Sequence, residues 1–367
     1  MPVSNLQITG LCKRYGDFVA LAPTDLDVAH GEFLTLLGPS GSGKTTLLSL
    51  IAGLAEPDAG QIHINGEDVT YGEPYERDIG MVFQNYALFP HMTVAENIAF
   101  PLQMRGTNGK TASGKVMEAL EMVHLPHVAQ RYPRELSGGQ QQRIALARCM
   151  VYRPSIILMD EPLGALDKKL RDHMQLEIKR IHRELGTTIV YVTHDQEEAM
   201  TMSDRICLMN AGLIAQLGTP DELYFRPKSV FVADFLGESN LLDATVTARD
   251  GHAVRVTLAG VGDAQAMAYD PAIRHGGNVK LMLRPQNLTI HAAHGRPGSG
   301  DDSGLLPVKL TDIMVSGSMT RLYLEPRSSD APSLVAAFPT SPSGARYEIG
   351  QTLRVSWQPG DAVAIME

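Results

Sequence analysis

Hydrophobic and polar positions follow two different patterns along the chain, and the change falls near residue 240. Before it, short apolar runs rich in β-branched residues alternate with longer segments whose apolar residues recur at helical spacing. The runs typical of buried strands are Phe33–Leu37, Ile79–Phe83, Ile156–Met159 and Thr188–Val192. The clearest helical pattern covers Lys168–Leu185. This alternation predicts an α/β fold with a mainly parallel sheet.

Two further regions have patterns of their own. Between about residues 88 and 150 the pattern is almost wholly helical, which predicts a helical subdomain inserted into the α/β layer. After residue 240, clusters of Gly, Pro, Ser and Asp separate short β-rich runs, as in a small all-β sandwich or barrel. These runs are Ala244–Thr247, Val254–Leu258, Val279–Leu283, Val308–Thr311, Arg321–Leu324 and Leu353–Trp357. We expect polar loops at His294–Gly304, Pro326–Ser333 and Pro339–Gly344. The predicted domains are residues 1–237 and residues 238–367.

The composition excludes several classes of protein. With 44% hydrophobic and 20% charged residues, the chain has the make-up of a folded globular protein. Three cysteines without a CxxC pair argue against a disulfide framework or a zinc site and favour a reducing compartment. No apolar stretch reaches the roughly 18 residues of a membrane-spanning helix, and no secretory signal is visible. The net charge of −9 argues against a nucleic-acid partner but leaves room for a small local anion site.

A glycine-rich loop follows the first of the predicted strands. Its residues, Gly38-Pro39-Ser40-Gly41-Ser42-Gly43-Lys44-Thr45, fit the pattern GxxxxGK[ST] and precede a helix-like segment that begins at Thr46. Glycines let consecutive N–H groups curl round a phosphate, and the helix directs its positive end at the same group. Lys44 can reach the β- and γ-phosphates, and the Thr45 hydroxyl can bind Mg²⁺. We therefore assign these eight positions, together with Thr46, to phosphate binding rather than to a chance glycine-rich turn.

Two consecutive carboxylates end another predicted strand. Asp160 and Glu161 follow the apolar run Ile156–Met159, at the strand end where α/β proteins bind ligands. Asp160 is suited to the Mg²⁺ shell, and Glu161 is suited to act as the general base on an attacking water. Alone, this pattern usually marks a strand that enters a solvated turn. Downstream of a phosphate loop it favours a hydrolytic site.

A third motif, taken together with the phosphate loop and the two carboxylates, resembles a known family. Leu136-Ser137-Gly138-Gly139-Gln140-Gln141-Gln142-Arg143 opens a helix-like run in which Ser137 can act as the N-cap and the glycines leave the first amides open. Together with the phosphate loop and the Asp160-Glu161 strand end, it resembles the signature of ATP-binding-cassette (ABC) ATPases. The resemblance covers residues 4–235. It implies an α/β P-loop NTPase fold with an inserted helical subdomain.

The resemblance implies roles for further residues. Tyr15 resembles the aromatic residue that stacks on adenine, and Gln84 resembles the loop glutamine that senses Mg²⁺ and γ-phosphate. His194 resembles the switch histidine that contacts γ-phosphate, and Asp167 resembles the loop aspartate that crosses between subunits. The family usually has Ser where this chain has Gly164. Outside the resemblance, the tyrosine and glutamine would be ordinary surface residues, and the histidine a capping or core residue.

The resemblance also implies an assembly. Two ATPase subunits form a head-to-tail homodimer, in which each ATP lies between the Gly38–Thr45 loop of one chain and Ser137, Gly138, Gly139 and Gln140 of the other. Because the chain has one cassette, this dimer forms between two copies. ATP binding closes the dimer, and hydrolysis opens it.

The C-terminal part narrows the class further. The tail resembles the transport-associated β-domain (TOBE, an OB-like fold) of importer ATPases, and Leu283-Arg284-Pro285-Gln286 differs from its usual motif in having Gln286 instead of Glu. Phe231–Asn240 resembles the junction in polyamine, ferric-ion and sugar importers, and by eye it is nearest to the spermidine/putrescine type. We therefore expect an importer ATPase with two transmembrane permease subunits and a solute-binding protein as partners. It would lie peripherally on the cytoplasmic face of the cell membrane, and Asn85–Phe100 would form the groove for the permease.

Several alternatives stay open at this point. The solute could instead be 2-aminoethylphosphonate, an amino-acid-like or organic cation, Fe³⁺ or a sugar. An exporter ATPase commonly lacks this tail. A non-transport ABC ATPase usually carries two cassettes or a long coiled-coil insertion, for which this chain has no room.

Overall fold

The structure, a computed structural model, describes residues 4–164, 166–258, 262–292, 303–327, 331–341 and 347–366. It divides into two compact units, Met1–Pro220 and Asp221–Glu367. Within the described residues, no helix is long and apolar enough to cross a membrane.

The first unit contains two sheets. An antiparallel sheet has the order β2-β1-β4-β5 and consists of β1 (Ser4–Tyr15), β2 (Phe18–Ala29), β4 (Ala59–Ile64) and β5 (Glu67–Asp68). The second sheet has the order β10-β9-β3-β8-β7-β6. Its strands are β3 (Phe33–Leu37), β6 (Ile79–Val82), β7 (Ile156–Asp160), β8 (Thr188–Thr193), β9 (Arg205–Asn210) and β10 (Leu213–Gly218). All its pairs are parallel except β9–β10, so the predicted mainly parallel sheet is confirmed.

Six α-helices complete the described part of the first unit. They are α1 (Lys44–Ala52), α2 (Val94–Met104), α3 (Gly109–Met122), α4 (Gly138–Met150), α5 (Lys168–Leu185) and α6 (Gln196–Met202). Helix α5 has the predicted bounds, because its apolar stripe, Asp167 cap and Gly186 stop are all local signals. Helices α2, α3 and α4 form the expected helical region.

Alternate residues of the parallel sheet supply two hydrophobic cores. One face, with Leu34 and Val190, packs with α1 and the antiparallel sheet. The other face, with Phe33 and Tyr191, packs with helices α2 to α5. Burial on both faces explains why these strands are continuous apolar runs in the sequence. The antiparallel sheet itself was not predicted.

The second unit is built mainly from strands. Among its described residues, five strands close a barrel in the order β11-β12-β13-β20-β14, and five form a sheet in the order β15-β19-β16-β17-β18. Their bounds are β11 (Asn240–Asp250), β12 (Ala253–Leu258), β13 (Gly262–Met267), β14 (Asn278–Leu283), β15 (Thr289–Ala292), β16 (Ser303–Ser316), β17 (Met319–Pro326), β18 (Leu334–Pro339), β19 (Thr352–Trp357) and β20 (Ala362–Ile365). One core joins barrel and sheet around the fully buried Trp357. The predicted all-β tail is confirmed. Parts of all three predicted polar loops lie outside the described residues, and the first loop ends earlier than predicted because β16 already begins at Ser303.

The contacts divide the chain earlier than the predicted boundary between Gly237 and Glu238. Two short helices, α7 (Pro220–Phe225) and α8 (Val230–Phe235), precede β11. The buried Arg284 donates hydrogen bonds to the carbonyl oxygens of Tyr224, Ala233 and Gly237 at 2.9–3.0 Å. Residues 221–237 therefore fold with the β-rich unit. The change of sequence pattern marks only where strands begin.

Candidate functional site

The predicted phosphate loop and the predicted catalytic residues lie at one edge of the parallel sheet. Strands β3, β8, β7 and β6 are consecutive neighbours, and all four run in the same direction. The phosphate loop follows β3, and His194 follows β8. Asp160 is the last residue of β7 with Glu161 directly after it, and Gln84 comes shortly after β6. Because the carboxyl ends of parallel strands meet at one edge, the fold brings these residues to a common edge.

The phosphate loop depends on glycine at two positions. A Cβ on Gly38 would overlap the carbonyl oxygen of Met209. A Cβ on Gly43, whose φ is +99°, would lie 2.6 Å from the carbonyl oxygen of Ala20. Helix α1 begins directly after Gly43 without a side-chain cap or an acidic residue in its first turn. Its first amides therefore have no side-chain acceptor, which fits the binding of an anion.

Lys44 lies buried inside this loop. Its Nζ donates hydrogen bonds to the carbonyl oxygens of Gly38 at 2.8 Å and Pro39 at 2.9 Å. Burial lowers the pKa of Lys44, and the carboxylates of Glu161 and Asp160 act in the opposite direction. Among the described residues, Lys44 forms no ion pair within 4.0 Å, so its charge is available to a polyphosphate.

The two carboxylates have different surroundings. Burial raises the pKa of Asp160, the nearby Glu161 adds to this, and Lys44 opposes it. Glu161 has a left-handed backbone with φ of +43°, unusual for a residue other than glycine. Its amide donates to the carbonyl oxygen of Val192 at 3.0 Å, and its Oε1 lies 3.2 Å from Nδ1 of His194. The strand ends of β7 and β8 thus hold an acid and an imidazole together.

Gln84 and Glu161 both lie near Gly164. A Cβ built on Gly164 would lie 3.9 Å from Oε2 of Glu161 and 4.0 Å from Nε2 of Gln84. Both side chains therefore lie around the position at which the family usually has Ser. Carboxylate, hydroxyl and amide oxygens such as those of Asp160, Thr45 and Gln84 are ligands that Mg²⁺ prefers, so the donor set fits this ion.

The loop after Gln84 has a strained backbone and is held by an arginine of helix α4. Tyr86 and Ala87 both have left-handed backbones, with φ of +61° and +46°. Arg148, in the last turn of α4, donates hydrogen bonds to the carbonyl oxygens of Ala87 at 2.7 Å and Tyr86 at 2.9 Å. Burial lowers the pKa of Arg148, which nevertheless stays a cation at neutral pH.

An apolar groove of about 310 Å³ lies beside this loop. Phe89 and Phe100, with ring centroids 4.7 Å apart, line it together with Phe83. Tyr86 and Val94, from the same predicted segment, are instead buried in the core. Part of Asn85–Phe100 therefore forms the subdomain core, and part lines an open groove.

Ser137 caps helix α4 as predicted from its motif. Its Oγ accepts from the amide of Gln140 at 3.4 Å, and Oε1 of Gln140 accepts from the amide of Ser137 at 3.0 Å. Ser137 and Gly138 are exposed, whereas Gly139 is buried with Leu170 beside it. Within the described chain, no hydrogen bond or ion pair joins this segment to the phosphate loop of the same molecule.

Two further predicted residues, Tyr15 and Asp167, are exposed at the ends of a strand and a helix. Tyr15 ends β1 with 54% of its surface exposed, and Nζ of Lys13 is 5.5 Å from its ring centroid. Asp167 is the N-cap of α5, where its Oδ1 accepts from the amide of Leu170 at 3.0 Å.

Sequence reasoning missed one polar cluster next to His194. Glu198, Tyr191 and Thr193 are buried and joined by hydrogen bonds, and Arg171 of α5 lies beside them. The available signal was the run Asp195-Gln196-Glu197-Glu198 directly after His194, in which one glutamate falls on the inner face of a short helix.

Together, the glycine loop, the strand-end carboxylates and the capped signature helix define a P-loop ATPase of the ABC class. The sequence profile of the family described as ABC transporter matches residues 21–164, and the TOBE domain profile matches residues 281–365. The chain therefore belongs to the family of ABC transporter ATP-binding proteins with a TOBE domain, as the resemblance implied.

Several relatives match over almost the whole chain. A Pseudomonas aeruginosa protein named spermidine/putrescine import ATP-binding protein PotA 2 is 43% identical over 96% of both chains. A Vibrio cholerae protein named spermidine/putrescine import ATP-binding protein PotA is 42% identical over 96% of this chain and 92% of its own.

A solved structure resembles the first part of the chain. It is described as the dimeric structure of a post-hydrolysis state of the ATP-binding cassette MJ0796 bound to ADP and Pi. Its TM-score is 0.53 at 33% identity, and the match covers 59% of this chain and 98% of the other. This match confirms the predicted ABC ATPase fold.

Proposed function

We propose that the chain is the ATP-hydrolysing subunit of an ABC importer for polyamines such as spermidine and putrescine. The contact between Glu161 and His194, at the sheet edge that carries the phosphate loop, supports hydrolysis. The names of relatives that match over 96% of the chain support import and the solute class.

The proposed chemistry assigns each residue at the sheet edge a role. The backbone amides of the Gly38–Thr45 loop and the Lys44 ammonium bind and orient the phosphates. Thr45, Asp160 and Gln84 hold Mg²⁺, which when bound neutralises phosphate charge. Glu161 accepts the proton of the attacking water, and His194, next to it, contacts the γ-phosphate.

We further propose that two copies of the chain complete the site. The start of α4, where Ser137 and Gly138 are exposed, directs its positive end at the nucleotide of a second copy, and Asp167 crosses the same interface. The similar cassette described as dimeric supports this arrangement. Tyr15, exposed at the end of β1, would stack on adenine.

The remaining partners follow from the groove and the relatives. We propose that the groove lined by Phe89 and Phe100 receives a permease subunit, and that a solute-binding protein delivers the polyamine. The chain would then act on the cytoplasmic face of the cell membrane.

Reconstitution tests both the importer function and the solute. The chain would be purified with its permease subunits and placed in liposomes with the binding protein. We expect spermidine or putrescine to stimulate ATP hydrolysis. Stimulation by 2-aminoethylphosphonate, Fe³⁺ or a sugar instead would refute the polyamine assignment, and failure to recover permease subunits would refute the importer assignment.

A further inference from the structure

A buried glutamate lies behind the histidine of the proposed ATPase site. Glu198, in helix α6, is 2% exposed and belongs to neither the phosphate loop nor the strand-end carboxylates. We infer that Glu198 is a positioning residue for His194 and that, through Arg171, it ties the His194 loop to the loop that carries Asp167. This inference rests on the proposed function and deepens it.

The carboxylate of Glu198 fixes the chain on both sides of His194. Its Oε2 accepts hydrogen bonds from the hydroxyls of Tyr191 and Thr193, both at 2.7 Å. Oγ1 of Thr193 in turn accepts from the amide of Asp195 at 3.0 Å. The residues before and after His194 are thus joined to one buried group, while His194 itself stays 59% exposed. The imidazole can therefore meet Glu161 in a fixed orientation.

Arg171 extends this connection to a second loop. Its Nη1 donates to Oδ2 of Asp195 at 2.8 Å, and its Nη2 donates to the carbonyl oxygen of Leu166 at 3.1 Å. Its Nε lies 3.7 Å from Oε1 of Glu198. Leu166 directly precedes Asp167, so one guanidinium holds both the His194 loop and the start of the Asp167 loop.

The same turn also contacts the signature helix. A Cβ on Gly139 would lie 3.1 Å from Leu170, in the first turn of α5. A continuous set of contacts therefore leads from His194 through Arg171 and the Leu166–Leu170 turn to the start of α4. In the proposed dimer this start contacts the second nucleotide.

A packing role alone does not account for Glu198. Burial raises its pKa, while the hydrogen bonds from Thr193 and Tyr191 oppose the rise, so the carboxylate is costly at this place. Its neighbours on the inner face of α6, Ala199 and Met202, fill the core with apolar side chains. An apolar side chain could fill the position of Glu198. A buried polar group at such a position is expected where a site needs a defined geometry.

The test compares each change with a matched control far from the site. Glu198→Gln removes the negative charge that faces Arg171. Its control is Glu32→Gln, which removes the charge of another buried glutamate; Glu32 directly precedes β3 and forms an ion pair with Arg205. Thr193→Val removes the hydroxyl link to Asp195, and Thr188→Val removes a buried hydroxyl at the other end of β8.

We expect Glu198→Gln and Thr193→Val to lower kcat of ATP hydrolysis about tenfold, because small displacements of reacting groups are costly. The KM for ATP should stay within about twofold, since the phosphate loop is untouched. Both control variants should keep kcat within about twofold. In a His194→Ala background, single-turnover measurements should show that Thr193→Val has lost its effect, since linked residues are not additive.

Two outcomes would refute this inference and leave the proposed function intact. They are an unchanged kcat for both variants, and an equal loss with and without His194, which would indicate a structural effect. A wild-type chain without ATPase activity would instead refute the proposed function, and this inference with it. If Glu198→Gln does not fold, Thr193→Val decides, because it leaves the buried charge in place.

Discussion

Arg148 is predicted to hold the loop after Gln84 in a conformation that the loop would not keep by itself. The change is Arg148→Ala, which removes two hydrogen bonds to the carbonyl oxygens of Tyr86 and Ala87. A hydrogen bond from a charged donor contributes about 1.5–3 kcal/mol to stability. Because Arg148 is partly exposed, we take the lower value for each, which gives about 3 kcal/mol for its two bonds together. Two left-handed residues cost about 1–2 kcal/mol each, so the opposing strain is also about 3 kcal/mol.

The near balance of these two magnitudes decides the expected result. Without Arg148 the loop relaxes and recovers its strain, so the free energy of unfolding should change by only about 1 kcal/mol. The loop itself, however, should lose its conformation. We expect amide hydrogen exchange at residues 85–89 to rise at least about tenfold, and permease-stimulated ATPase activity to be lost while basal activity remains.

The control for this prediction is Arg153→Ala, which removes an exposed arginine paired with Glu118 just beyond the same helix. It should change neither the exchange of the loop nor the stimulated activity. Unchanged exchange at residues 85–89 in Arg148→Ala would refute the reasoning. A loss of several kcal/mol in the free energy of unfolding would also refute it, because the strain would then not be recovered.

Three further predictions concern the loop, the proposed base and the cysteines. Gly38→Ala should abolish nucleotide binding, measured by fluorescent-nucleotide titration, because its Cβ overlaps the neighbouring backbone; near-normal affinity would contradict this. Glu161→Gln should still bind ATP and form an ATP-dependent dimer in size-exclusion chromatography, with kcat lowered at least about a hundredfold; wild-type turnover would rule out the base assignment. Burial raises the pKa of Cys149 and Cys207 to about 12, so at pH 8 only about one thiol in ten thousand is ionised. The native chain should therefore react with a thiol reagent only at the partly exposed Cys12, whereas rapid labelling of all three would contradict the burial.

The parts of the fold that the sequence predicts are those with local signals. The bounds of helix α5 are set by a capping residue before it and a glycine after it, and those of the buried strand Phe33–Leu37 by an unbroken apolar run. The antiparallel sheet was missed because β1 and β2 are long strands whose pairing depends on partners far along the chain, such as β4. Local patterns do not specify such pairings.

The candidate site divides in the same way. The predicted residues at the sheet edge follow strand ends, so a strand pattern plus one motif is sufficient to place them. Arg148 lies 61 residues from Ala87, and Arg171 lies 24 residues from Asp195, so their contacts come from the packing of helices on the sheet. Neither arginine carries a motif that would distinguish it from an ordinary surface cation.

Arg148 and Arg171 also show how the loops of this site can be held in place without using the side chains that would bind nucleotide. Both donate to backbone carbonyl oxygens of loops, at Ala87 and at Leu166, and neither contacts Glu161 or Lys44 by an ion pair. Loops that lack regular secondary structure leave carbonyl groups unpaired, and a guanidinium with several donors satisfies them from a neighbouring helix. Because this fixation uses backbone carbonyl groups and the Asp195 carboxylate, the side chains of Lys44 and Glu161 stay available for nucleotide. Movement of α4 or α5 would therefore carry the attached loops with it, which is the property that a site completed by a second copy requires.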